Sequence, residues 1–188
     1  MNTQNHSHTP ESTKISYFLA QRDSSKWILL FGVLLQILFF IACLLIGDVH
    51  VDEAMLMLNA RTLAEKGTDI LGEQMPIYFD TWLYGGQSPL ATYLSALFIK
   101  LFGYQLWIGR LPLLLCGFCS LLAMRALLRE LLNNQTMENI ILLVTAVTPW
   151  RLFQSAWVLD CAYLPHMLLI ACCFLVCLLY TSPSPRDS

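Results

Sequence analysis

The apolar run at 27–47 constrains this chain more than any other feature. About 20 consecutive residues, wound as a helix, match the hydrocarbon thickness of a bilayer. Further long apolar stretches follow it. Hydrophobic residues make up 56% of the 188 and charged residues only 13%, about half the share usual in soluble domains. The expected fold class is all-α, a polytopic membrane protein. A formal net charge of −2 supplies no basic surface, which argues against nucleic acid as a partner. The seven cysteines form neither a CxxC…CxxC nor a Cys/His ligand pattern, and six lie inside apolar runs, where a thiol acts as a small hydrophobe. Cys161, beside Asp160 in a more polar stretch, is the exception.

Residues 1–26 are polar and read as a disordered cytoplasmic lead. Lys14, Arg22 and Lys26 precede the first span and keep the N-terminus inside by the positive-inside rule. A signal peptide fits less well, because the run is long and no small-residue cleavage site follows. The loop 48–88 then opens outside, with seven carboxylates against Arg61 and Lys66. Within it, 52–66 is built of helix formers and halts at Gly67, a natural residue just past a helix end. Leu56, Ala60, Leu63 and Ala64 share one face of this helix, and Arg61, Thr62, Glu65 and Lys66 the other, as in a helix along the membrane surface.

The run 89–102 has only 14 residues and contains Lys100, most simply an interfacial lysine, so it reads as a second juxtamembrane helix. Spans are then expected at 110–132, from 138 to about 151, and at 163–180. Arg125 and Arg129 fall at the cytoplasmic end of the first of these, in keeping with the positive-inside rule. Counting 27–47, the expectation is about four transmembrane helices plus two juxtamembrane helices, with positions 52 and 160 on the same, extracytoplasmic side. The closing TSPSPRDS, 181–188, reads as a non-native tail, and 27–180 as the N-terminal part of a longer membrane domain.

Asp52 and Glu53 are the first candidates for chemistry. Adjacent carboxylates just beyond a span can act as a general base, or as a base with a metal ligand. The structural alternative is that Asp52 caps the following helix while Glu53 faces its positive end. Asp160, in a stretch otherwise fit for a membrane, is a functional hypothesis by default, set against a solvated loop residue. Arg110 and Arg151 suit a lipid phosphate, or else snorkel to the interface. His166 reads first as a polar residue at a helix end. Trp82, Tyr84, Trp150 and Trp157 fit an interfacial aromatic belt.

The order of these features is familiar: a first span, an Asp-Glu pair, a surface helix, YGGQSPL at 84–90, RLP opening a span, and PWRLFQSAWVLDCAYLP at 149–165. Over about 27–180 it resembles the N-terminal third of the type C glycosyltransferases, closest to the protein O-mannosyltransferase and aminoarabinose transferase superfamily. The resemblance implies a polyprenyl-phosphate-linked sugar as donor, and a protein, glycan or lipid acceptor. It implies transfer with inversion on the outer side of the plasma membrane. It makes Asp52, Glu53 and Asp160 the catalytic residues, with Asp52 and Asp160 holding a divalent metal if one is used. Arg151, Arg110, Gln87, Tyr84 and His166 become substrate-binding candidates, Gln87 standing where the aminoarabinose enzymes carry a lysine. The readings from other classes are a secondary transporter using Asp52 and Asp160 as ion sites, which calls for inverted repeats and broken helices, and a non-catalytic membrane subunit.

Overall fold

The computed structural model describes residues 11–80, 85–132, 134–159 and 161–181, with side chains from Ser25 to Leu178 outside the gaps. These residues are mostly helical: α1 (Glu11–Ile46), α2 (Val51–Lys66), α3 (Pro89–Phe102), α4 (Leu106–Leu131), α5 (Gln135–Val147), α6 (Pro149–Ala156) and α7 (Tyr163–Thr181). The helix α1 begins at Glu11, so residues 11–26, expected within a disordered lead, are helical and continuous with the apolar run.

Two stretches have the length and composition of membrane spans, Ser25–Ile46 and Leu106–Leu131. The apolar helices α3, α5 and α7 are shorter. The run expected to cross as one helix from 138 is divided. Thr148 is extended, at φ −60° and ψ 119°, and Pro149 opens α6. The residue before a proline is driven out of the helical region, and proline brings no N–H to continue the ladder. Thr148 Oγ1 instead donates to the Val144 carbonyl, 2.6 Å away, closing the end of α5.

The helices α1, α4 and α5 form one packed unit. Gly32 lets α1 approach α5 closely, because a Cβ there would lie 2.8 Å from that of Ala146 and 2.9 Å from Leu121. Small residues at such crossings bring helices together where no hydrophobic drive exists between them. At the end of this unit Arg129 donates to Glu138 at 3.2 Å and to Ser25 at 3.0 Å, joining the same three helices. Outward faces stay apolar: Leu34, Leu38 and Leu45 on α1 and Leu168, Leu175 and Leu178 on α7 are all more than half exposed.

A second unit sits over the first. The apolar face predicted for α2 is realised, with Leu56, Ala60 and Leu63 buried and Gly67 ending the helix at φ +74°. That face packs on α3 and α4, around Ile99, Ile108, Leu113, Phe79 and Tyr163. Between α2 and α3 the chain makes a small antiparallel pair, β1 (Phe79–Asp80) with β2 (Gly86–Gln87). Asp69 organises the turn before it, its Oδ1 accepting from the N–H of Leu71 at 2.9 Å and of Glu73 at 2.8 Å.

Candidate functional site

The first turn of α2 carries two carboxylates with opposite fates. The N-cap is His50, whose Nδ1 accepts from the Asp52 N–H at 3.3 Å. Asp52 therefore stands inside the helix rather than capping it, which corrects the capping role expected for it. Its side chain is 65% exposed, with the nearer carboxylate oxygen 3.4 Å from His50 Nδ1. The residue lies in the first turn of α2, at the positive end of the helix dipole.

Glu53, the next residue, turns inward and is fully buried. Arg110, also fully buried, grips it with a two-pronged fork: Nε to Oε1 and Nη2 to Oε2, both 2.6 Å. The Val158 N–H adds a third donor at 3.3 Å. This is the planar bidentate geometry that suits an arginine to a carboxylate. It removes Glu53 from the role of a second free acid, and Arg110 from that of a lipid-phosphate ligand. Arg110 Nη1 meets no acceptor among the described residues.

Gln87 pins the same turn from the other side. Its Nε2 donates to the Asp52 carbonyl at 2.9 Å, and its Oε1 accepts from Asn59 Nδ2 at 3.4 Å. Both amides are nearly inaccessible. Gln87 thus holds backbone where a substrate contact was expected. Farther along α2, Arg61 donates to Glu65 at 2.8 Å on the outer face; that carboxylate raises the arginine pKa.

Arg151 and His166 lie apart from this turn, in a buried polar cluster where α1, α4, α6 and α7 meet. Arg151 donates to the Gly117 carbonyl at 2.5 Å and to Gln36 Oε1 at 3.2 Å. Ser120 Oγ lies 2.9 Å from His166 Nδ1 and Ser155 Oγ 3.4 Å from its Nε2. A Cβ at Gly117 would overlap Gln36 Nε2 and come within 2.7 Å of Ser155 Oγ, so glycine is what allows the cluster to close. Arg151 is buried among neutral acceptors, turned away from the surface where a headgroup would reach it. The opposite face of α6 is aromatic. Trp150, Phe153 and Trp157, with Leu159 and Cys161, line an apolar pocket of about 320 Å³.

Asp160, Tyr84 and Trp82 lie outside the described residues. Among the described residues, no three His, Cys, Asp or Glu side chains are grouped so as to hold a metal ion. His50, Gln36 and the Glu53–Arg110 pairing were not anticipated. For the pairing the signal is faint: an acid and a base 57 residues apart, each beside an apolar run. No family model, no curated protein and no solved structure matches this chain.

Proposed function

We propose that the chain is the N-terminal part of the membrane domain of a glycosyltransferase, inactive by itself. The full-length protein moves a sugar from a polyprenyl-phosphate-linked donor to an acceptor hydroxyl on the outer side of the plasma membrane, with Asp52 as general base. The observation that carries this reading is the accessible Asp52 carboxylate, held on a buttressed helix turn six residues beyond the end of a span-length helix. A donor whose phosphate rests at headgroup level requires its base at that boundary. The acceptor hydroxyl is a poor nucleophile until its proton is taken. As Asp52 accepts that proton, the acceptor oxygen forms its bond to the anomeric carbon and the carbon–oxygen bond to phosphate breaks, leaving polyprenyl phosphate. Attack opposite the leaving group inverts the centre, through an oxocarbenium-like transition state.

The topology that goes with this reading has four crossings: the apolar part of α1, α4, α5 with α6 as one broken crossing, and α7. The pair α2 and α3 lies outside. Apolar outward faces on α1, α4, α5 and α7 support it, as does the Arg129–Glu138 pair at the end of the bundle remote from Asp52. Asp160, two residues beyond the Val158 that Glu53 binds, is the second catalytic candidate, and Asp52 and Asp160 would hold a divalent metal if the reaction uses one.

The test is sugar transfer from a polyprenyl-phosphate sugar by the full-length protein in proteoliposomes, with Asp52→Asn alongside. Transfer by the parent and its loss in the variant are expected. Equal turnover by both would overturn the assignment of the base.

One observation favours the transporter reading. The break at Thr148–Pro149, next to the buried Arg151 and His166, is the kind of interrupted helix that lines transport sites. Ion-gradient-driven solute uptake by the same proteoliposomes, without sugar transfer, would select it.

A further inference from the structure

The buried carboxylate of Glu53 is bonded to three separate stretches of the chain. It belongs to α2, takes both prongs of Arg110 from α4, and accepts the Val158 N–H from the segment between α6 and α7. The described residues of that segment, 157–159, 161 and 162, lie outside helix and strand. The Leu159 N–H donates to the Trp157 carbonyl and the Ala162 N–H to that of Leu159, both at 3.0 Å. Residues 157–159 are thus held by a short turn and by the carboxylate behind them. Val158 is fully buried, so its N–H has no solvent to fall back on.

The same turn of α2 is held from the opposite side by Gln87, through the Asp52 carbonyl. The backbone that displays Asp52 is fixed by two side chains coming from different elements, while the Asp52 side chain itself stays exposed, beside His50. We infer that Glu53, with Arg110, is a positioning residue. The pair holds the Asp52 turn and the 157–159 segment as one rigid piece, so that the direction in which Asp52 leaves the surface, relative to that segment, does not drift. This rests on the reading of Asp52 as the reacting carboxylate. The geometric part of it stands or falls independently.

A buried pair invites a specific control. Removing one partner leaves an uncompensated charge, whereas replacing both by apolar residues of similar volume often leaves the fold intact. The double variant Glu53→Met/Arg110→Met therefore keeps the packing and removes the directional bonds. In the full-length protein it is expected to accumulate normally, with kcat lower by about 10²-fold and KM unchanged, the cost of a misplacement near 1 Å. In parallel, spin labels at positions 52 and 161 on a cysteine-free background report the separation of the two segments. The distance distribution is expected to be narrow in the parent and to broaden in the double variant.

Parent-like kcat in the double variant, or an unchanged distance distribution, would overturn the inference and leave the pair as packing only. If the parent transfers no sugar, the reading of Asp52 fails while the spin-label result still decides whether Glu53 holds the two segments. Should the double variant not accumulate, Arg110→Lys, which keeps the charge opposite Glu53 but not the two-pronged fork, is read in the same two ways.

Discussion

Neighbouring residues of one type can be separated entirely by which way a helix turns them. Asp52 and Glu53 are chemically near-identical, yet one is two-thirds exposed and the other wholly buried and triply bonded. Their amide variants should accordingly diverge. Asp52→Asn should lose about 10²–10⁴ in transfer rate, the usual cost of losing a general base. Its stability should move by less than about 1 kcal/mol, since only an exposed charge near a helix N-terminus is removed. Glu53→Gln should cost about 3–5 kcal/mol, because Arg110 keeps its charge in a fully buried site. Thermal unfolding in detergent of the two variants beside the parent checks both. A smaller stability loss for Glu53→Gln than for Asp52→Asn would contradict the burial seen here.

At the scale of elements, the sequence was most informative where one residue type closes an argument. Gly67 and the spacing of Leu56, Ala60 and Leu63 predicted α2 almost to its ends, and the apolar run 89–102 coincides with α3. Hydropathy found the apolar runs but could not see the division at Thr148–Pro149, because the apolar average runs through it and only the proline marks it. The site was half legible. A carboxylate just past the first span can be read directly, whereas its supports, Arg110 and Gln87, lie 58 and 35 residues away and are brought in by packing that no local pattern encodes. The Gly117 crossing was equally silent, and it carries a prediction. Gly117→Val should force Gln36 and Ser155 apart and cost about 1–3 kcal/mol by overpacking. A glycine on an open turn such as Gly72, which has nothing within 4 Å of an added Cβ, makes a poor control because its φ is +90°, so Leu115→Val on the outer face of α4 serves better. Unfolding midpoints of the two variants separate overpacking from a general intolerance of the helix.

For the whole molecule, the proposed topology assigns a side to every polar position. Cysteines placed singly at 52 and 161 should react with a membrane-impermeant maleimide from outside intact cells, and one at 134, between α4 and α5, only after the membrane is opened. Labelling of 161 solely after opening would sink the arrangement of crossings together with the shared site. The proposed crossing by α5 and α6 has a further consequence, for the lipid rather than the protein. A helix of 13 residues, such as α5, rises about 20 Å, against about 30 Å for a typical hydrocarbon core. The remaining height beside it belongs to α6 and its C-cap Trp157, which set Trp150 and Trp157 beside Gln154. Such a flank suits the headgroup region better than acyl chains. The outer leaflet should therefore sink around this flank of the protein, forming an annulus thinner than the surrounding bilayer. Activity should then vary with acyl-chain length, and short-chain phosphatidylcholine vesicles should support it better than long-chain ones.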